Sequence, residues 1–257
     1  MITGRIVKTY SGFYYVQSGQ ELYTCKARGV FRKDKLKPLV GDQVELERLE
    51  DKDVNGNIIS ILPRHSELPR PSVANVDMAL IVFSATFPKP KFSTIDKYLI
   101  EFQKNHIEVI LCFNKIDTAS EEEKKLLTDI YSGSGVKLIF TSAVNAEGLD
   151  VLKKLVEGKL AVFTGPSGVG KSSLINALCG HRMETGELSN KTQRGKQTTR
   201  HYELITLNEN TMLLDSPGFT ALNLTSTDYY ELKDNYTEFV EKSLDCKYKN
   251  KCLHMNE

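Results

Sequence analysis

Residues 165–172 read Gly165-Pro166-Ser167-Gly168-Val169-Gly170-Lys171-Ser172, a G-x-x-x-x-G-K-S pattern. Glycines at these positions let the backbone wrap around phosphate oxygens with its N–H groups turned inward. Lys171 brings a point charge to the outer phosphates, and the Ser172 hydroxyl suits magnesium. Ser173 directly follows and is counted with the loop. An apolar run at 160–163 precedes the pattern and a helical segment starts near Lys171, so a bound phosphate would also meet a helix N-terminus. An ordinary Gly-rich turn could carry the same residues; the strand and helix flanks favour the phosphate reading.

A second constellation, Asn114-Lys115-Ile116-Asp117, follows an apolar run ending at Phe113. The Asp117 carboxylate can accept from the ring N–H and the exocyclic amine of guanine, donors that adenine lacks at those places. A site built around that carboxylate rejects adenine, because the charge would be left unpaired. The aliphatic stem of Lys115 can cover the base, and Asn114 can tie neighbouring loops. A second apolar run, 137–141, leads into Ser142-Ala143, a companion loop whose backbone would touch the base carbonyl. Alone, the tetrad could equally be a solvated loop; with the phosphate loop and Ser142-Ala143 it points to a guanine nucleotide.

Two further stretches have the chemistry of switches. Asp215-Ser216-Pro217-Gly218 follows the apolar run 212–214, which places an acid at a strand end to reach magnesium and a glycine amide, Gly218, to bond a γ-phosphate. Between the two phosphate elements lies the basic, acid-free run 191–200, with Thr198-Thr199-Arg200 at its end. Thr199 is the preferred magnesium ligand there and Thr198 the reserve.

The elements that must position these residues fall into three stretches. Residues 5–8, 13–17, 21–27, 43–49 and 57–62 alternate as short strands, with turn signals at Ser11-Gly12, Ser18-Gly19, Val40-Gly41-Asp42 and Asn55-Gly56-Asn57. Five such strands predict a small all-β barrel over 1–66, an oligonucleotide-binding (OB) fold or an SH3-like one. The proline-bearing run 63–71 reads as a linker. From 72 to 224, buried-type strands at 78–84, 108–113, 137–141 and 160–163 alternate with helices. That predicts an α/β domain with a parallel sheet covered on both faces. Ser93 is expected to cap the first helix, and Ser120, with Glu123, the second. Residues 149–156 and 171–178 supply the next two. The last stretch, 225–257, reads as a polar helix from about 227 to 242 and a Cys/His tail.

Composition narrows the setting. With 34 basic against 33 acidic residues, the net charge is +1, so any nucleic-acid contact must come from a local cluster. Lys26, Arg28, Arg32, Lys33, Lys35 and Lys37, with Asp34 the one acid among them, form such a cluster. The 5 cysteines are widely spaced and make no disulfide framework. Cys112 and Cys179 read as buried small hydrophobes. The N-terminus has no signal-peptide pattern, and the longest apolar runs fall well short of the ~20 residues of a membrane span. A cytoplasmic monomer with no membrane association is expected.

The order of the motifs is unusual. In the commonest GTPases the phosphate loop comes first; here the base reader and Ser142-Ala143 precede it and the switches follow, as in a circular permutation. That order, behind a small barrel and ahead of a Cys/His tail, resembles the ribosome-small-subunit-dependent GTPase family (RsgA-like, also called YjeQ). Residues 165–172, 114–117 and 215–218 and Asn75-Val76-Asp77 carry the likeness, which covers essentially the whole chain. It implies an OB-fold barrel, a circularly permuted P-loop GTPase domain and a zinc-binding tail. It also implies a cytoplasmic GTP hydrolase using GTP/GDP and Mg2+, a late assembly factor of the 30S ribosomal subunit that contacts 16S rRNA and is stimulated by the subunit.

Two departures stand out. Members usually carry a histidine just before the paired threonines; here the place holds Gln197, and His201 is the alternative. Gln197, with Lys171 and Thr199, is therefore the expected catalytic set. The family tail has three cysteines and a histidine, whereas Cys246, Cys252 and His254 are the zinc ligands found here, so a truncated tail lacking its fourth ligand is expected. Two thiols and a surface histidine that hold no metal are the other reading of that tail. A P-loop small-molecule kinase, or an RNA-binding module with a vestigial nucleotide site, are the competing functions. The kinase would have no use for Asn114 and Asp117.

Overall fold

The computed structural model describes residues 1–27, 31, 36–51, 53–69, 71–180, 202–216, 232–243, 245–247 and 252. These group into two compact units: Met1–Met78, Lys153–Phe163 and Leu178–Ser216 in the first, Ala79–Leu152, Thr164–Ala177 and Pro217–Glu257 in the second.

The first unit opens with five strands, β1 (Ile2–Tyr10), β2 (Phe13–Ser18), β3 (Glu21–Ala27), β4 (Gln43–Arg48) and β5 (Gly56–Ile61). They close a barrel in the order β1-β2-β3-β5-β4, with β1 antiparallel to β4 and β3 parallel to β5. That connectivity selects the OB-like barrel over the SH3-like one. Alternation puts Ile6, Val16, Tyr23, Cys25, Val44, Leu46 and Ile58 into one buried cluster. Each fully buried aliphatic contributes about 1.5–3 kcal/mol. Gly56 lies inside β5 rather than in the expected turn: a Cβ there would stand 2.5 Å from Cys25 Sγ, so the glycine serves close packing across the β3–β5 pair.

Residues 63–71 do not behave as a linker. β6 (Glu67–Pro69) pairs antiparallel with β7 (Ser72–Ala74), and Arg64 is held against Asp42. Asn75 has a left-handed backbone (φ 56°); its Nδ2 donates to Gly41 O at 3.1 Å, and its Oδ1 accepts from the His65 amide at 3.1 Å. The same unit holds β11 (Leu160–Thr164), β12 (Leu204–Asn208) and β13 (Thr211–Asp215), ordered β11-β13-β12. β11 and β13 run parallel, but β12 is antiparallel to β13, so the sheet is mixed where an all-parallel one was expected.

In the second unit, β8 (Met78–Ser84), β9 (Glu108–Asn114) and β10 (Lys137–Thr141) are ordered β10-β9-β8, and β8 is buried at every position. The helices are α1 (Phe92–Lys104), α2 (Glu121–Tyr131), α3 (Leu149–Val156) and α4 (Lys171–Leu178); α1 and α2 lie in this unit, as does α4 up to Ala177, and α3 is divided between the units after Leu152. Ser120 and Glu123 form the expected reciprocal capping box on α2. Ser93 does not cap α1. Lys91 occupies the N-cap, with no side-chain cap bond, and Ser93 lies within the first turn. The described part of the C-terminal stretch is a 3-10 turn, Lys233–Asn235, and a short helix, α5 (Thr237–Ser243), rather than one continuous helix.

Candidate nucleotide site

β9 delivers Asn114 as a buried residue at its last position, with Lys115 next in a left-handed conformation (φ 64°) and a 3-10 turn over Ile116–Thr118. The sharp reversal turns Asn114 inward and Asp117 outward. Asn114 Nδ2 donates to Val169 O at 2.9 Å, and its Oδ1 accepts from Thr141 Oγ1 at 3.2 Å. One amide thus joins the tetrad, the phosphate loop and the end of β10. Behind it the Cys112 thiol lies 3.2 Å from Thr141 Oγ1. Burial pushes that thiol up to about 12, the Thr141 hydroxyl opposing only in part, so it stays a neutral packing group.

Lys115 Nζ donates to Gly168 O at 2.6 Å and to Phe87 O at 2.9 Å. A single ammonium therefore joins the loop after β8 to the phosphate loop. Thr86 and Thr118 hydroxyls are 2.7 Å apart, which ties the loop after β8 to the residue following Asp117.

Asp117 is exposed, and its Oδ1 accepts from Ser142 Oγ at 2.5 Å. Ser142 is buried and its Oγ also accepts from the Asn145 amide at 3.1 Å. Its own amide donates to Glu147 O at 3.0 Å, closing the loop that carries half-buried Ala143. Gly148 (φ 72°) makes that closure possible: a Cβ there would stand 2.2 Å from Phe140 O.

In the phosphate loop three glycines take positive φ: Gly165 138°, Gly168 80° and Gly170 94°. A Cβ on Gly165 would stand 2.1 Å from Val82 O, and one on Gly170 would stand 2.3 Å from Asn114 Nδ2. Gly168 is exposed and a Cβ there meets nothing nearer than 4.0 Å. Pro166 is half-buried, Ser167 is exposed, and Val169 packs inward as the loop's one apolar anchor. Lys171 is buried and donates to Gly165 O at 2.9 Å and Pro166 O at 2.8 Å, so its charge points into the loop. Ser172 and Ser173 are exposed on the first turn of α4.

Asp215 is the last residue of β13, in register with Phe163 of β11, the strand that runs into Gly165. Ser216 is buried and its Oγ donates to Phe163 O at 2.8 Å, which pins the exit of β13. The sequence reading missed this anchor, since a lone serine after an acid gives no signal. Gln197, Thr198, Thr199, His201, Gly218 and His254 lie outside the described residues.

An all-oxygen donor set suits magnesium. The Ser172 hydroxyl, exposed at the head of α4, is an oxygen donor of the kind such an ion takes. Zinc stands differently. Cys246 and Cys252 are half-buried cysteines outside any disulfide, and among the described residues no group of three His, Cys, Asp or Glu side chains could hold a metal ion. These two thiols alone do not make a structural zinc site.

Residues 3–58 match the RsgA N-terminal domain and residues 61–225 the RsgA GTPase. The small ribosomal subunit biogenesis GTPase RsgA of Alkaliphilus metalliredigens is 45% identical over 258 residues, spanning 100% of this chain and 88% of that protein. The protein of the same name from Caldanaerobacter subterraneus is 45% identical over 257 residues, with 100% and 86% covered. Among solved structures, YjeQ from Thermotoga maritima superposes with a TM-score of 0.82 at 32% identity, covering 100% of this chain and 87% of that one. YloQ, described as a circularly permuted GTPase, gives 0.77 at 34% identity, with 100% and 85% covered. Base reader before phosphate loop, a five-stranded barrel ahead of both, and full-length similarity to these proteins agree: the chain belongs to the RsgA GTPase family.

Proposed function

We propose that this chain is a GTP hydrolase that converts GTP to GDP and phosphate as a late assembly factor of the small ribosomal subunit. The observation that carries the reading is the double tie from the base-reading tetrad to the phosphate loop, Asn114 to Val169 and Lys115 to Gly168. A guanine on Asp117 and phosphates in the loop are thereby held at one fixed separation, which a kinase or a bare RNA-binding module would not need.

In this reading the Asp117 carboxylate accepts from the two guanine donors, Lys115 covers the base, and Ser142-Ala143 closes over it. The backbone N–H groups of the loop up to Lys171 and the Lys171 ammonium neutralise charge that develops on the phosphates. Ser172, Thr199 and Asp215 would hold magnesium, which neutralises phosphate charge when bound. Gly218 would bond the γ-phosphate, and Gln197 would orient the attacking water.

The divisions 1–66, 72–224 and 225–257 serve as barrel, GTPase domain and tail; the family matches at 3–58 and 61–225 support the first two. The barrel would meet 16S rRNA through the run from Lys26 to Lys37, of which Lys26 and Lys37 are described; Lys26 Nζ sits 5.5 Å from the Phe13 ring centroid. Zinc on Cys246, Cys252 and His254 rests on the family likeness. A cytoplasmic monomer is the setting; among the described residues no helix is long and apolar enough to cross a membrane.

The test is nucleotide turnover with purified protein, GTP against ATP, with and without 30S subunits. GTP-selective hydrolysis that rises with subunits is expected. Equal use of ATP, or no response to subunits, would overturn the reading.

A further inference from the structure

Apart from Met1, the two most exposed large apolar side chains among the described residues are Val144 at 85% and Phe87 at 79%. Exposed hydrophobic residues scattered singly are ordinary. These two are not scattered: each sits on a loop tied directly to the base-reading tetrad. The loop of Phe87 is fastened twice, by its own carbonyl to Lys115 Nζ at 2.9 Å and by Thr86 to Thr118 at 2.7 Å. The loop of Val144 is fastened by Ser142 to Asp117 at 2.5 Å. Neither apolar side chain takes part in these bonds, which run from the Lys115 ammonium to the Phe87 carbonyl, between the Thr86 and Thr118 hydroxyls, and from the Ser142 hydroxyl to the Asp117 carboxylate. Both loops are therefore fixed in place while presenting an apolar side chain to solvent.

We propose that Phe87 and Val144 are the apolar rims of the guanine slot: Phe87 lies against the base on the Lys115 side, and Val144 closes the slot on the Ser142 side. The proposal rests on the guanine-nucleotide reading above and adds the residues that grip the base by its faces rather than its edge. Asp117 reads hydrogen-bond donors on the base edge, which gives selectivity but adds nothing to the cover that the Lys115 stem and the Ser142-Ala143 loop give the faces. An aromatic face in contact with a purine strengthens binding irrespective of the phosphate count, and such contacts shift affinity about five- to a hundredfold per base. Phe87 is suited to this because the Lys115 ammonium that holds its carbonyl also holds Gly168, so base contact and phosphate loop are set by one group.

The chain contains no tryptophan, so Phe87→Trp introduces a sole reporter at the proposed contact. Full-length protein carrying Phe87→Trp is titrated with GDP and GTP while indole emission is followed. In parallel, a fluorescent GDP analogue measures affinity for wild type, Phe87→Ala, Phe87→Leu, Val144→Ser and, as an exposed control on α3, Val151→Ser. Thermal midpoints establish that each variant is folded. The expected result is a saturable change in indole emission with both nucleotides and about tenfold weaker binding for Phe87→Ala. Phe87→Leu should fall between Phe87→Ala and wild type, Val144→Ser should lose less, and Val151→Ser should be unaffected. The loss should be equal for GDP and GTP. Wild-type affinity in Phe87→Ala, or unmoved indole emission in Phe87→Trp at saturating GDP, would overturn this proposal and leave the guanine-nucleotide reading standing. Failure of the wild type to bind the GDP analogue would overturn both.

Discussion

Ser142 Oγ donates to Asp117 Oδ1 at 2.5 Å while itself accepting from the Asn145 amide at 3.1 Å. The exposed carboxylate is thus aimed by a buried hydroxyl whose own direction is set by the loop backbone. An aimed acceptor loses little freedom when a base arrives, which separates its two roles, charge and orientation, by mutation.

Asp117→Asn should weaken GTP and favour xanthosine triphosphate, whose base has a carbonyl where guanine has its amine. Ser142→Ala should keep the preference for guanine but lower GTP affinity about tenfold, or ~1.4 kcal/mol, because the carboxylate remains but is no longer held. Calorimetric titration of both variants with the two triphosphates checks this. Unchanged GTP affinity in Asp117→Asn would remove Asp117 from the site; a switch of base preference in Ser142→Ala would show that the serine reads the base itself.

The phosphate-loop glycines should not be equivalent. Gly165→Ala would place a Cβ 2.1 Å from the Val82 carbonyl of an adjacent strand buried at every position, where nothing can give. Loss of the folded loop and of nucleotide binding is expected, with a destabilisation of more than about 2 kcal/mol. Gly168→Ala meets open space and costs only the left-handed backbone, about 1–2 kcal/mol. Denaturant midpoints of the two variants, together with GDP affinity, check the ordering. A Gly165→Ala protein as stable as Gly168→Ala would contradict the packing argument.

Much of this frame was legible in the sequence because it is written in apolar runs and caps. The elements at 78–84, 137–141, 149–156 and 171–178 coincide with β8, β10, α3 and α4. The Ser120–Glu123 box marks the start of α2 to the residue. What escaped depends on partners distant in the chain. β6 and β7 have three residues each, too short to show a period, and Pro69 argues against a strand. β12 is buried chiefly at Leu204, as suits an edge strand that only its pairing to β13 defines. Gly56 looks like a turn glycine until Cys25 is seen beside it. Lys115 could be assigned to the base from its motif, but its reach to Gly168, 53 residues on, exists only once β9 and the phosphate loop are side by side.

Arg64 and Asp42 form a bidentate ion pair in the unit that holds the barrel. Arg64 Nε and Nη2 donate to the two Asp42 oxygens at 2.7 Å each, with Asp42 wholly buried and Arg64 largely so. Asp42 Oδ2 also accepts from the Leu39 amide at 2.7 Å, and Arg64 Nη2 donates to Lys37 O at 2.8 Å. The hydrogen bonds to Asp42 raise the guanidinium above its ordinary value, so Arg64 stays charged across any accessible pH. Arg64→Met would leave a buried carboxylate without its counter-charge and should destabilise the unit by about 3–5 kcal/mol. Asp42→Asn combined with Arg64→Met should recover part of that loss, because the unpaired charge is then gone. Denaturant unfolding of the single and double variants checks the coupling. Equal stability of Arg64→Met and wild type would mean the pair contributes nothing to the fold.

Hydrolysis should depend on a group brought into place by the ribosomal subunit. Many GTPases use a glutamine immediately after the second-switch glycine to orient water. Here Phe219 follows Gly218, and an aromatic ring can neither orient water nor accept its proton. Among residues beside the threonine pair, Gln197 has a suitable amide, and its segment carries Lys191, Arg194, Lys196 and Arg200, which can pair with RNA phosphates. The predicted consequence is a slow free enzyme and a fast bound one, with the Gln197 amide as the group that serves the bound one. Completing a site in this way is worth about 10³–10⁵ in rate where an arginine finger does it. Gln197→Ala should keep wild-type GTP affinity, keep slow basal turnover and lose most of the stimulated rate. Replacing Lys196 and Arg200 with alanine should instead demand more subunit for half-stimulation, with less effect on the rate at saturation, since those charges dock rather than orient water. Affinity, basal rate and a subunit titration on the same preparations separate the two behaviours. Wild-type stimulated turnover in Gln197→Ala would move the water-orienting role to another group, with His201 the next to replace.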